Sequence, residues 1–407
     1  MVTGESGNPM TSILVPDAQT RASLAAIRSL GRAGYRVHAV SADKFALGLK
    51  SRFAGAASIH PAYGTAAFPD WLSTYVARHG IEMIVPSEGL LRAIRPAFEE
   101  FKALLPVTHD QSALYRGFSK IETVRAFMAA DPALGLMNHH PASTVVDLSR
   151  PPGPDSLPPS STGYFVKAEA AKAGAAPVAA LGFASDSDQA IALLAGMSEG
   201  WDAALVQEAC SGVQIGVSVL MDNGEALAVS CVRDCHPVPH SNGTMSLRES
   251  CWLPEIAEDT IRRLAHLEWR GCAMGEYRYE PETGRFNLIE INFRYWQYLH
   301  LDLWAGMDFP RYQAEWFLKG KRDFGATPQL GVKCRDTWPG EVAQLVNEIR
   351  RQELPRRAKL AAVIRFAARF LNPAMHQDFN FPGDRAMYFR NLSQYIRTEF
   401  ESLTRRR

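Results

Sequence analysis

Residues 270–296 constrain the fold more than any other stretch of this 407-residue chain. They read as two strands joined by a turn at Pro281 and Gly284, a hairpin with a loop of about three to five residues. Side chains alternate along a strand, so Glu290 and Asn292 share one face and Ile289 and Ile291 the other. Glu276, on the preceding strand, is expected opposite Glu290, with the turn leaving one residue of latitude in the register. Two carboxylates and a carboxamide on a rigid sheet are hard oxygen donors of the kind Mg²⁺ takes, often shared with substrate phosphates. Arg294 lies one face-repeat beyond Asn292, and its forked donors suit a phosphate oxygen. Glu-x-Asn alone is common on strands, so its meaning rests on the surrounding pattern.

A chain of this length has room for two or three domains and a sizeable core. Its 46% hydrophobic and 21% charged residues are those of an ordinary globular protein. A net charge of +1 gives no electrostatic reason to expect nucleic acid or an anionic membrane as the main partner. The six cysteines form no Cys-x-x-Cys pair, and Cys231-x-x-x-Cys235-His236 lacks the second ligand pair of a zinc site. Scattered cysteines of this kind read as reduced thiols. No apolar run has the length of a membrane span and no signal peptide opens the chain, so the expected location is cytoplasmic.

Along the chain, strand Ser12–Val15, a helical segment Ala22–Leu30 and strand Tyr35–Val40 form a βαβ unit, which implies a parallel sheet. Phe68–His79 reads as a helix, Ile81–Pro86 as a buried strand and Leu104–Val107 as a further strand. No Gly-x-Gly-x-x-Gly follows the first strand, so the domain is Rossmann-like without the dinucleotide fingerprint. Residues 148–163 are Pro/Ser-rich and make a loop. Strands Ala204–Gln207 and Gly216–Met221 flank a turn at Cys210-Ser211-Gly212. From about residue 340 the chain turns helical, basic and amphipathic, which reads first as solvated helix faces and second as membrane or partner docking.

The segment Glu276-Tyr277-Arg278, then Leu288-Ile289-Glu290-Ile291-Asn292-Phe293-Arg294-Tyr295-Trp296, then Ala305-Gly306-Met307-Asp308-Phe309-Pro310 resembles the metal-binding core of the ATP-grasp superfamily. It is most similar to the carbamoyl-phosphate-synthase-like branch of carboxylate–amine ligases. There the stretch reads Glu-Phe-Lys, a turn, Leu-Leu-Glu-Ile-Asn-Pro-Arg-Phe-Trp and Ala-Gly-Val-Asp-Phe-Pro. The resemblance spans about residues 12–318. It implies α/β and α+β architecture: a Rossmann-like pre-ATP-grasp domain over 1–112 and an ATP-grasp fold followed by a helical tail. The ATP-grasp subdomains are expected over 113–205 and 206–320, and a basic helical extension over 321–407.

The same resemblance implies ATP and Mg²⁺ as cofactors, with Mn²⁺ as an alternative ion. Glu276, Glu290 and Asn292 would be the metal ligands, and Arg294 and Lys167 the catalytic cations. Lys120, in Ser119-Lys120, and Lys167 would grip the ATP phosphates, with Lys172 a further cation in the lid loop. Glu208 and Cys210 would present backbone to adenine, and Gln214 stands where an acid usually holds the ribose. Arg248-Glu249-Ser250 and Gly243 resemble a segment that approaches the phosphates and acceptor. Departures at Phe293, Gln297, Val238, Pro239 and His240 lie near the expected substrate position. The expected activity joins a small carboxylate to an amine through an acyl phosphate, releasing ADP and phosphate. Carboxylation, phosphoryl transfer or a non-catalytic ATP-binding scaffold are the alternatives, and a homo-oligomer is compatible with any of them. The absence of Met-Lys-Met speaks against a biotinyl attachment site in this chain.

Overall fold

The computed structural model describes residues 10–150, 153, 157–171, 179–237 and 245–405. Its first sheet is parallel: β1 (Ser12–Val15), β2 (Arg36–Ser41), β3 (Ala56–Ile59) and β4 (Ile81–Ile84) lie in the order β3-β2-β1-β4. The apolar run of β1 is buried throughout, as a central strand covered on both faces requires. Thr20 caps the helix Arg21–Arg32 by accepting from the amide of Ser23, so the chain turns sharply between β1 and that helix. After β1 the chain builds outward on one side, then returns to add β4 on the other. The carboxyl ends of β1 and β4 therefore form a topological switch point.

The strand expected over Leu104–Val107 is not formed. Leu105 and Val107 are buried, but the segment follows a 3₁₀ turn as irregular chain. Pro106 has no N–H to give a ladder, and its carbonyl instead accepts from Gln313 Nε2 at 3.0 Å.

A second, antiparallel sheet has the order β5-β8-β6-β7, from β5 (Ser143–Asp147), β6 (Tyr164–Ala171), β7 (Ala179–Ala184) and β8 (Trp201–Glu208). It has its own core, in which Val166, Ala168, Ala204 and Val206 meet Leu194 of the helix Ser187–Met197. The third sheet is built from β9 (Val213–Asp222), β10 (Glu225–Pro237), β11 (Met245–Cys251), β12 (Gly271–Tyr279), β13 (Phe286–Asn292), β14 (Lys333–Arg335) and β15 (Met375–Gln377), in the order β13-β12-β9-β10-β11-β14-β15. One hydrophobic cluster joins β1 and β4 of the first sheet to β9, β12 and β13 of the third. These two sheets thus share a core that the second sheet lacks.

The C-terminal region is mostly helical, yet β14 and β15 extend the third sheet through it. Buried ion pairs fasten this region to the front of the molecule: Arg28 to Asp384 at 3.0 Å, Arg21 to Asp336 at 2.7 Å, and Arg248 to Asp378. Each charge is desolvated, so removing one partner would strand the other in the interior. Lys172, Val238, Pro239, His240 and Gly243 lie outside the described residues.

Candidate active site

Strands β12 and β13 form the expected hairpin, and Glu276 stands directly opposite Glu290 in the ladder. A register shift between Glu276 and Tyr277 follows the pair. Asn292, two residues beyond Glu290 on the same face, donates through Nδ2 to Glu290 at 2.9 Å and to Glu276 at 3.4 Å. Gln214, on the neighbouring strand β9, donates to the other oxygen of Glu276 at 3.3 Å. Its side chain therefore touches the metal-type carboxylate.

Lys167 on β6 arrives from the second sheet. Its buried ammonium donates to Gln207 Oε1 at 2.6 Å and to the backbone carbonyl of Ile289 at 3.3 Å, one residue from Glu290. Lys120 pairs through its ammonium with the Glu290 carboxylate. Glu169, on the same face of β6 as Lys167, accepts from Ser119 Oγ at 2.9 Å and from the amide of Lys120 at 3.1 Å. A carboxylate at the start of the helix Lys120–Met128 offsets the unfavourable dipole felt by a lysine in its first turn. Glu169 and Gln207 thus position the two lysines. Neither was singled out from the sequence, although Glu169 falls two residues beyond Lys167 and so on its face.

Burial raises the Glu276 carboxyl to about 8, with the charge of Glu290 adding to the shift. Burial pushes Glu290 the same way, but Lys120 and Lys167 outweigh it and hold this carboxyl well below its usual range. Desolvation lowers Lys167 to about 8 despite the nearby acids. Desolvation also acts on Lys120, yet Glu290 holds that ammonium above its ordinary value. The arrangement is thus short of positive charge at Glu276. Among the described residues no three His, Cys, Asp or Glu side chains cluster as a complete metal cage. Two carboxylates and a carboxamide fit a cation that takes its remaining oxygens from phosphate or water, and the Lys120 ammonium already lies where such a cation would meet Glu290.

Arg294 donates to Asn292 Oδ1 at 3.2 Å and to Glu88 at 3.3 Å. Asp302 is buried away from it and accepts from Ser230 at 2.6 Å and Trp296 at 2.5 Å. Arg294 lines a cavity of about 450 Å³ together with Asp17, Arg21, Ser87, Glu88 and Gln297. The loops after β1 and β4 supply Asp17 and Glu88, so the cavity opens at the switch point of the parallel sheet, where ligands of open α/β sheets bind. Asp17 holds a left-handed φ of 52°, a conformation uncommon outside glycine. The Arg21 guanidinium is held by Gln297 and by Asp336 of the C-terminal region. Of these cavity residues Arg294 and Gln297 were singled out in the sequence, whereas Asp17, Arg21, Ser87 and Glu88 were not.

At the end of β8 the amide of Glu208 is taken by the carbonyl of Ala142 at 2.8 Å, and its own carbonyl accepts the Cys210 thiol at 3.8 Å. Any adenine contact at this turn therefore falls to backbone groups other than the Glu208 amide. Burial raises the Cys210 thiol to about 11, so it is a neutral thiol. Arg248 does not face this cleft. It is fully buried on β11 against Asp378, and Glu249 pairs with Arg233 at 2.8 Å.

No family model matches the sequence, and no curated protein sequence matches it. Solved structures do resemble it. An L-amino acid ligase from Bacillus licheniformis superposes with a TM-score of 0.54 at 15% identity, over 77% of this chain and 74% of the other. A biotin carboxylase from Campylobacter jejuni, in complex with a β-γ-ATP ligand, gives 0.56 at 17% identity over 80% and 74%. The biotin carboxylase domain of Hydrogenobacter thermophilus 2-oxoglutarate carboxylase, with MgADP and bicarbonate, gives 0.56 at 14% over 80% and 74%. At these identities the likeness is one of fold, and that fold is the one shared by all three.

Proposed function

We propose that this chain, which has the ATP-grasp fold, is an ATP-dependent ligase that joins a carboxylate to an amine. The observation that carries the reading is the convergence of Lys120 and Lys167 on Glu290, beside Glu276 and Asn292, where two sheets with separate cores meet. A buried ammonium, Lys167, and a half-buried one, Lys120, over a carboxylate pair match the needs of a polyphosphate and its counter-ion. Glu276, Glu290 and Asn292 would hold Mg²⁺, which supplies charge neutralisation to the phosphates when bound. Lys167, kept buried and oriented by Gln207, would donate to phosphate oxygens, and Lys120 would shift from Glu290 to the same group.

The carboxylate substrate attacks the γ-phosphorus of ATP; the bond to the β-phosphate oxygen breaks and ADP leaves. The amine then attacks the acyl carbon, the bond to the phosphate oxygen breaks, and phosphate departs as the nitrogen loses a proton. Arg294 borders both the carboxylate pair and the cavity at the switch point, so it can follow charge from the transferring phosphoryl group onto the acyl phosphate. The cavity offers Arg21 to an anionic substrate group, and Asp17 and Glu88 to a cationic one.

Carboxylation is the second reading, favoured by the fold likeness to two biotin carboxylases. ADP release decides between them. Ligation requires a carboxylate and an amine together, screened as pairs of amino acids and small acids. ADP release supported by bicarbonate alone, or unchanged when the amine is withheld, would discard the ligase reading.

A further inference from the structure

We propose that the helix Arg356–Leu371 docks this protein onto an anionic lipid surface, its outer apolar stripe at the acyl boundary and its cations among the headgroups. One side of the helix belongs to the protein body. Ala362 is buried, Arg369 pairs with Glu341 at 2.7 Å, and Phe366 lies 5.8 Å from the Arg335 guanidinium. On the opposite side Leu360, Val363, Ile364, Ala367, Ala368 and Leu371 recur at spacings of three and four, which is a single stripe. Leu360, Ile364 and Leu371 are 61%, 58% and 86% exposed, so none of the described residues covers it.

The charges point to the occupant. The first turn carries Arg356 and Arg357 and no acid, against the preference of the helix dipole. At 3.6 residues per turn, Lys359 falls on one flank of the stripe and Arg365 on the other. Residues 350–371 contain seven Arg and Lys against the single acid Glu353, a net +6, whereas the whole chain is +1 and the remainder therefore −5. A second copy docking through this helix would bring like charges together, and a nucleic acid has no use for a stripe of Leu and Ile. An anionic bilayer satisfies both the apolar centre and the basic margins.

A neighbouring helix repeats the pattern. Ala386–Arg405 presents Phe389, Ile396 and Phe400 at spacings of seven and four, with Phe389 67% and Phe400 68% exposed. Phe370 and Tyr395 lie 6.4 and 5.9 Å from the ring of Trp338, so both helices flank one site.

The full chain is sedimented with vesicles of phosphatidylcholine alone and of phosphatidylcholine mixed with phosphatidylglycerol. Anionic vesicles should bind it at least about tenfold better than neutral ones, and high salt should erode that preference. Leu360→Glu with Ile364→Glu should abolish binding, and Arg356→Gln with Arg357→Gln should remove the anionic preference. Circular dichroism checks that each variant folds. If the first double variant does not, Leu371→Glu, at the exposed last position of the helix, gives the same readout. No binding to either vesicle, or equal binding to both, overturns the proposal. So does a dimer seen by analytical ultracentrifugation that Leu360→Glu dissociates while vesicles remain unbound, which would assign the stripe to a second copy.

Discussion

Glu276 and Glu290 face each other across β12 and β13, yet their surroundings drive the two carboxyls in opposite directions. Both are desolvated, but only Glu290 receives the ammonium of Lys120, so it keeps its charge while Glu276 is left to hold a proton. A second positive charge would settle the pair. Glu290→Ala is therefore expected to abolish ADP formation while sparing the fold, since it also relieves a buried repulsion. Steady-state turnover within a few-fold of the parent at saturating Mg²⁺, with an unchanged melting curve, would remove Glu290 from the metal site.

Among the described residues the Lys167 ammonium donates to Gln207 and to the Ile289 carbonyl, both near the expected phosphate position. Lys167→Met removes one charge-assisted contact and should weaken ATP binding by roughly 10- to 100-fold, the worth of such a hydrogen bond. Adenosine, which has no phosphate, should bind almost unchanged. Calorimetry showing equal losses for both ligands would place the lysine away from the phosphates.

Arg294 is shared between Asn292 and Glu88, and so between the carboxylate face and the cavity. An interaction made mainly in the transition state lowers kcat more than ground-state affinity. Arg294→Ala should cost about 10²–10³-fold in rate, and Arg294→Lys should also be impaired because it keeps the charge without the fork. Single-turnover formation of the acyl phosphate, trapped with hydroxylamine, measures this directly. Normal rates in both variants would leave Arg294 with its ion pair to Glu88 and no part in the chemistry.

His300 is fully buried, and its Nε2 lies 2.8 Å from Arg28 Nη1, which can only donate, so the ring is a neutral acceptor there. Burial and the adjacent arginines lower it to about 3, and burial lowers His38 and His140 to about 4. These folded values lie below the unfolded one of about 6.5, so the unfolded chain binds more protons between them. The contribution of these three histidines is therefore full above about pH 6.5 and is lost as pH falls through that window. At pH 5 the cost from His300 alone should be about 2 kcal/mol. Glu276, raised to about 8, and Asp302, raised to about 7, act in the opposite sense, so the His300 contribution is read from urea unfolding at pH 7.5 and pH 5 as the difference between the parent and His300→Gln. An identical pH dependence in the parent and His300→Gln would contradict the neutral assignment.

Much of this protein was legible in order of sequence. Alternation alone put Glu290 and Asn292 on one face, and the Pro281/Gly284 turn brought Glu276 opposite them. The βαβ opening and the helix Ala67–His79 followed from periodicity, because those segments bury one face or a whole apolar run. Leu104–Val107 misled for a local reason: an apolar run with Pro106 at its centre fills a core but cannot join a ladder.

Tertiary structure alone decided which groups meet. Lys120 and Glu290 are 170 residues apart, Lys167 and Gln207 are 40, and Glu88 and Arg294 are 206. No local spacing encodes such pairings, since they depend on how the second sheet and the switch-point loops settle against the third sheet. The three-residue strands β14 and β15 were equally silent, because strands so short are formed by the neighbour that pairs with them. The residue types and their faces were thus written into the chain, while the charge balance at Glu276 and Glu290 exists only where burial and two distant lysines coincide.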